Sequence, residues 1–167
     1  MIIKSERLLL SEFTKEDAAF FFELVNDPDW IKYIGDRKVH SLTDAAQYLI
    51  EKIIPSYQQF GFGFYVVRLK EDHTPIGMCG LIKRDWMDHV EIGYAFLTNS
   101  RGKGYAIEAS IATKKYAKEV LNILKIAALT DIDNEKSSNL LTRLGLEFER
   151  LISYPGEEKK CKLFLEK

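Results

Sequence analysis

The stretch Phe96 to Ala106, Phe-Leu-Thr-Asn-Ser-Arg-Gly-Lys-Gly-Tyr-Ala, carries the densest chemistry in the sequence. Its pattern is a strand, a glycine-bearing turn and the start of an amphipathic helix. The exposed N–H groups of a helix start, together with the helix dipole, favour an anion such as phosphate. Gly102 and Gly104 put no side chain in the way of close approach, and Arg101 and Lys103 add positive charge. An ordinary tight turn before a helix has the same outline, and spacing alone leaves both readings open. Two nucleotide fingerprints fail. The pattern G-x-G-x-x-G needs glycine where Ile107 stands, and a Walker loop needs Ser or Thr after its lysine, where Gly104 follows Lys103. A second feature is Glu91, set in the otherwise mostly apolar run His89-Val90-Glu91-Ile92-Gly93-Tyr94. Partial burial would raise its pKa toward a value useful for proton transfer, whereas a solvent-facing Glu91 would do nothing of the kind.

These residues need a frame. The pattern predicts a first strand from about Ile3 to Phe13, then a helix opened by Thr14, with Glu16 and Asp17 in its first turn. Asp17 takes the position where a capping box prefers Glu or Gln. Asn26-Asp27-Pro28 stops that helix. A short helix or turn, Trp30 to Ile34, ends at Gly35, and Ser41 or Thr43 starts another that reaches about Phe60, kinked or cut short by Pro55. Strands are expected at Phe62–Leu69, Ile76–Lys83 and His89–Leu97. A long helix spans about Gly104 to Val120, with Ala109, Ala112, Tyr116 and Val120 at helical spacing. Leu124 to Thr130 is apolar except for Lys125, as in a strand covered on both faces. A helix from Lys136 to Leu144, stopped by Gly145, and strands at Phe148–Tyr154 and Lys162–Leu165 complete the order. That order is α+β with a mixed sheet, read as one domain over residues 1–167.

Composition narrows the class. The chain has 167 residues, 24 Lys and Arg against 25 Asp and Glu, and net charge −1. This balance argues against binding nucleic acid through bulk charge. No apolar run approaches the roughly 18 residues of a membrane span. No signal peptide is expected ahead of the strand-like start. Cys79 and Cys161 form no ligand motif and read as inert core thiols suited to a cytoplasmic protein. His40, His73 and His89 are far apart with no nearby cysteine, so no metal site is expected.

Three ordered segments resemble the GNAT acetyltransferase superfamily. Arg101-Gly102-Lys103-Gly104-Tyr105-Ala106 matches its R/Q-x-x-G-x-G/A pattern, and Gly104 to Ala109 resembles the G-Y-A-x-E-A of its ribosomal-protein N-terminal acetyltransferase (Rim-type) branch. Asn134-Glu135-Lys136-Ser137 with Leu141, Arg143, Leu144 and Gly145 is similar to that branch's N-x-x-S…L-x-K-x-G-F. Ser5-Glu6-Arg7-Leu8-Leu9-Leu10 is similar to its T-E-R-L-x-L opening. The departures are Thr98 where the turn often has Pro, Leu146 where Phe is usual, and Thr142 where Glu is common. The resemblance implies a mixed, mostly antiparallel sheet flanked by helices, with the strand ending near Phe96 splayed from a parallel neighbour. It implies acetyl-CoA as cosubstrate and an amine acceptor, either a protein N-terminus or a small molecule. The pantetheine would pair with backbone at Tyr94, Ala95 and Phe96, the pyrophosphate would sit on Arg101 to Ala106, and Asn134 would bond the pantetheine arm.

Acetylation of an amine by direct attack needs a neutral amine, a polarised thioester carbonyl and a proton for the departing thiolate. Glu91 is the candidate base. Ser137 is the candidate acid by family position, with an N-cap as the competing role and Tyr105 and Tyr154 as alternative acids. Glu108 is read as holding a helix or turn in place. Trp30, Tyr33 and Trp86, with Tyr57 and Phe60 beside them, are expected to line the acceptor side, where Asp85 and Asp88 could attract a cation. A non-catalytic acyl-CoA-binding module would keep the loop and Asn134 but have no use for Glu91 and Ser137. The quaternary state is read as monomer or homodimer.

Overall fold

The β-branched and aromatic runs pair into one eight-stranded sheet in the computed structural model, which describes residues 2–167. The strands are β1 (Ile2–Lys4), β2 (Leu8–Glu12), β3 (Phe64–Leu69), β4 (Pro75–Ile82), β5 (Val90–Phe96), β6 (Ile126–Asp131), β7 (Leu146–Ser153) and β8 (Lys160–Glu166). They lie in the order β1-β2-β3-β4-β5-β6-β8-β7. Every neighbouring pair is antiparallel except β5 and β6. The helices are α1 (Ala18–Val25), α2 (Pro28–Tyr33), α3 (Leu42–Tyr48), α4 (Pro55–Phe60), α5 (Tyr105–Glu119) and α6 (Glu135–Arg143).

Side-chain alternation along the strands sorts the core onto two faces. Val66 and Met78 point to one face, where Phe13, Phe21, Leu24 and Leu49 of the α1–α4 layer cover them. Leu81, Ile92, Ala128 and Phe164 point to the other, against Ala117 of α5 and Leu141 of α6. Leu8, Leu10, Tyr65, Val67 and Phe96 pack with Ala109 on that same α5 side. Among the described residues, no helix is long and apolar enough to cross a membrane.

Several boundaries depart from expectation. The expected strand Ile3–Phe13 is a hairpin, β1 and β2, turned at Ser5-Glu6-Arg7. Its cause lies about a hundred residues away. Glu108 Oε1 accepts from the Ser5 hydroxyl and from the Arg7 N–H, each at 2.7 Å, and Oε2 accepts from Arg7 Nε at 2.7 Å. The second helix begins at Pro28, not Trp30, because Asp27 caps it by accepting from the Asp29 N–H at 3.0 Å. The helix from Ser41 to Phe60 changes to a π turn at Leu49–Ile53, immediately before Pro55, which can donate no backbone bond. Leu124 lies outside β6 and is largely exposed. Asp17 does reach back to the Thr14 N–H, at 2.9 Å, and it also holds Arg68.

Candidate active site

The parallel pair β5–β6 is short. Val90 faces Ile126 and Glu91 faces Ala127, and no further residues pair. Beyond Glu91 the two strands part, while β5 stays in register with β4 to Phe96. Leu97 donates its N–H to the Ile76 carbonyl at 3.0 Å. Antiparallel alternation then turns the main chain of Ala95, Gly93 and Glu91 toward β4. Ile92, Tyr94 and Phe96 turn theirs to the opened edge. Ala95 therefore does not offer backbone to the opening, contrary to its expected part in pairing, and Ile92 does. This edge runs roughly 16 Å from Glu91 to Phe96 at the usual strand rise.

At the far end of the edge is the glycine turn. Gly102 (φ +74°) and Gly104 (φ +80°) both occupy the left-handed region, and a Cβ at Gly102 would meet nothing within 4 Å. Gly104 is the N-cap of α5 and supplies no side chain to bond the first-turn N–H groups of Tyr105 and Ala106. The helix start thus keeps its donors for an outside acceptor. An open strand edge leading to an uncapped helix of fifteen residues suits an extended, amide-bearing arm that ends in a pyrophosphate, and acetyl-CoA has those parts.

Arg101 is spent differently from expectation. Its Nε–H donates to the Phe96 carbonyl at 2.9 Å, one terminal nitrogen to Asp29 at 2.5 Å and Thr98 Oγ1 at 3.2 Å, and the other to Asp27 at 2.7 Å. Thr98 in turn donates to Asp27 at 2.8 Å, which is what the residue at the usual proline position does. Burial opposes ionisation of Asp27, but Arg101 and Thr98 hold its pKa below the usual carboxylate range. The guanidinium thus ties the loop to the start of α2. Lys103 is exposed, and its carbonyl accepts from Arg7 at 3.0 Å, while Arg7 also lies over the Tyr105 ring at 4.5 Å. Arg7 braces the loop, and the meeting of the Ser5–Arg7 segment with Glu108 puts it there. Burial works against ionised Glu108, yet its hydrogen bonds to Arg7 and Ser5 keep its pKa below the ordinary value.

Asn134 is the N-cap of α6, its Oδ1 accepting the Ser137 N–H at 3.1 Å. The Ser137 hydroxyl is therefore not the cap. It lies 2.9 Å from the Tyr94 hydroxyl, which reaches across from β5 and comes within 3.3 Å of the Ser137 carbonyl. Burial pushes the Tyr94 phenol well up, so it remains a donor at neutral pH.

Glu91 points to the α1–α4 side, opposite to Ile92, and is 4% exposed. Burial raises its pKa, and the Arg84 guanidinium, which donates to Oε2, opposes that rise. Trp86 and Tyr154 flank Arg84, with ring centroids 5.8 and 5.1 Å from the guanidinium carbon and 5.6 Å from each other. Burial brings the Tyr154 phenol up to about 12. Trp86 lies beside Arg84 in the group around Glu91, and Tyr33 is half-buried on α2 under Lys32. Trp30 is 7% exposed within the α1–α4 core, and its indole N–H meets no acceptor among the described residues. The Tyr57 hydroxyl bridges the Phe13 N–H and the Phe64 carbonyl, which makes it a strut of the core. Cys79 is buried, and burial lifts its thiol to about 11, as an inert core cysteine requires.

Residues 7–147 match the acetyltransferase (GNAT) domain. The uncharacterized N-acetyltransferase p20 of Bacillus licheniformis is 30% identical over 151 residues, covering 89% of this chain and 83% of that protein. The crystal structure of a GNAT-family acetyltransferase from Bacillus anthracis superposes with a TM-score of 0.81 at 25% identity, covering 99% of this chain and 96% of that one. A ribosomal L7/L12 alpha-N-protein acetyltransferase in complex with coenzyme A gives 0.85 at 16% identity, covering 99% and 97%. The edge, the glycine turn and the match over most of the chain lead to one conclusion: this chain belongs to the GNAT family, acetyltransferases that draw the acetyl group from acetyl-CoA.

Proposed function

We propose that the chain acetylates a primary amine, a protein N-terminus or a small amine, by direct attack while both substrates are bound. The observation that carries this reading is the position of Glu91, a buried carboxylate at the last paired residues of β5 and β6, where the opening begins. Acetyl-CoA supplies an activated acyl group on sulfur. The Ile92 and Tyr94 main chains would hold its arm, and the N–H groups from Gly102 to Ala106 its pyrophosphate. Asn134 bonds within the protein through Oδ1, which leaves its amide nitrogen for the arm. Glu91 takes a proton from the acceptor ammonium, directly or through a water. The amine lone pair then forms the N–C bond as the C–S bond breaks. Ser137, hydrogen-bonded to the Tyr94 hydroxyl, passes a proton to the sulfur and regains one as the newly formed amide nitrogen sheds its extra proton.

Resemblance to the Rim-type branch and the likeness to an L7/L12 α-amine acetyltransferase support trying peptide N-termini first. The test is thiol release from acetyl-CoA with peptides beginning in Ala or Ser, with spermidine and with free lysine, each against an amine-free control. At least one amine is expected to raise release well above the control. Hydrolysis alone with every amine would overturn the reading.

Ser137→Ala separates chemistry from structure. The helix cap is Asn134, so only one side-chain hydrogen bond is lost, and stability is expected to fall by about 1 kcal/mol. Turnover is expected to fall about a hundredfold with acetyl-CoA binding unchanged. Normal turnover per folded molecule would remove Ser137 from the chemistry.

A further inference from the structure

Arg84 is a largely buried cation paired with the candidate base. Its Nε–H is given to Glu91, and its guanidinium carbon lies near the rings of both Trp86 and Tyr154. Glu91 Oε1 has no hydrogen-bond partner among the described residues, so one carboxylate oxygen is held and the other is left over. The guanidinium is planar and stays charged under any working condition. The two neighbouring rings add cation–π attraction. We propose that Arg84 is the positioning residue of the acetyl transfer: it fixes Glu91 in one orientation through Oε2 and leaves Oε1 to receive the acceptor's proton. This rests on the reading of Glu91 as base.

The proton balance is simple. The acceptor ammonium loses one proton to Oε1, and the neutral amine attacks. After product leaves, the Glu91 acid returns its proton to solvent and the Arg84 pair forms again. Arg84 itself gains and loses nothing. The titratable groups around the pair are Tyr154, just after β7, and Cys161 of β8, which face Glu91 and Arg84; Arg37 faces Tyr154, and Asp131 of β6 and Glu157 face Cys161. Burial raises both the phenol and the thiol, so both are neutral near pH 7 and Arg84 is the one charge in direct contact with the carboxylate.

The test uses the full chain with carbon-13 in its glutamate carboxyl groups. Glu91→Gln identifies the Glu91 resonance by its loss. That resonance is then titrated in the wild type, in Arg84→Met and in Arg84→Lys. Arg84→Met is expected to move the midpoint upward by about one pH unit or more, because burial is then unopposed. Arg84→Lys, which keeps a charge without the fork or the stacking plane, is expected to move it the same way by less. Should Arg84→Met not fold, the lysine variant carries the same comparison. An unmoved midpoint in the folded variants overturns the proposal. With an amine that the wild type accepts, the acid limb of kcat/KM is expected to shift by the same interval, so rates below the limb drop about tenfold per unit and recover at alkaline pH. A normal rate in Glu91→Gln would instead defeat the base assignment and the role of Arg84 with it. Loss in Glu91→Gln with an unmoved limb in Arg84→Met would defeat the role of Arg84 alone.

Discussion

Gly104→Glu is expected to abolish the stabilisation that acetyl-CoA confers. At about 100 times its Kd, a ligand that binds only the folded state adds about 2.7 kcal/mol. For 167 residues that is roughly 5 to 11 °C in Tm. Gly104 holds φ at +80° and caps α5, and a Cβ there would come 3.3 Å from the terminal nitrogen of Arg7. A glutamate therefore adds backbone strain of about 1–2 kcal/mol. It also places a fixed anion where the first-turn N–H groups would otherwise receive phosphate oxygens. Strain and charge are separable. Gly156 has φ +82° and open space around it, far from the loop in sequence, so Gly156→Ala should lower Tm by a similar strain yet keep the full acetyl-CoA shift. A full shift in Gly104→Glu, or none in the wild type at millimolar acetyl-CoA, would reduce the loop to a tight turn before a helix.

What sequence reasoning reached and missed follows from the range of each interaction. The α+β order, the glycine turn and the long helix after it are set by residues within a few positions of one another, and they stand where expected. The break in the first strand is not local. Ser5 to Arg7 has a strand-like pattern, and the contacts that turn it aside come from distant residues, Glu108 above all and Lys70 on the Ser5 and Arg7 carbonyls. Arg101 looks like a phosphate ligand on its own loop, but Asp27 and Asp29, more than seventy positions earlier, claim its donors. Nor does spacing alone show which strand residues turn their backbone to the opening. That depends on the β4–β5 register, which assigns Ile92 and excludes Ala95. Aromatic residues were the least legible. Trp30, Tyr57 and Trp86 have similar chemistry in a sequence, yet one is core, one is a strut and one lies beside a buried ion pair.

Glu91→Gln is expected to lower turnover by about 10²- to 10⁴-fold, the usual contribution of a positioned general base. The change keeps the shape of the side chain and still offers an oxygen to Arg84 Nε. Acetyl-CoA should therefore raise Tm as much in the variant as in the wild type. An independent signature lies in stability against pH. Burial raises the Glu91 pKa in the folded state, so the folded chain binds its proton more tightly than the unfolded chain does. The contribution of this group is then fully present below the unfolded value, and it is lost as pH rises through the folded one. Glutamine has no proton to lose, so the difference in unfolding free energy between variant and wild type should grow in favour of the variant across that interval. Chemical denaturation from pH 4 upward measures it. A flat difference would mean that Glu91 titrates alike in both states, and burial would then supply no reason for it to act as a base. A turnover within about threefold of the wild type would exclude it from the proton transfer outright, because a loss that small lies far below what a base contributes.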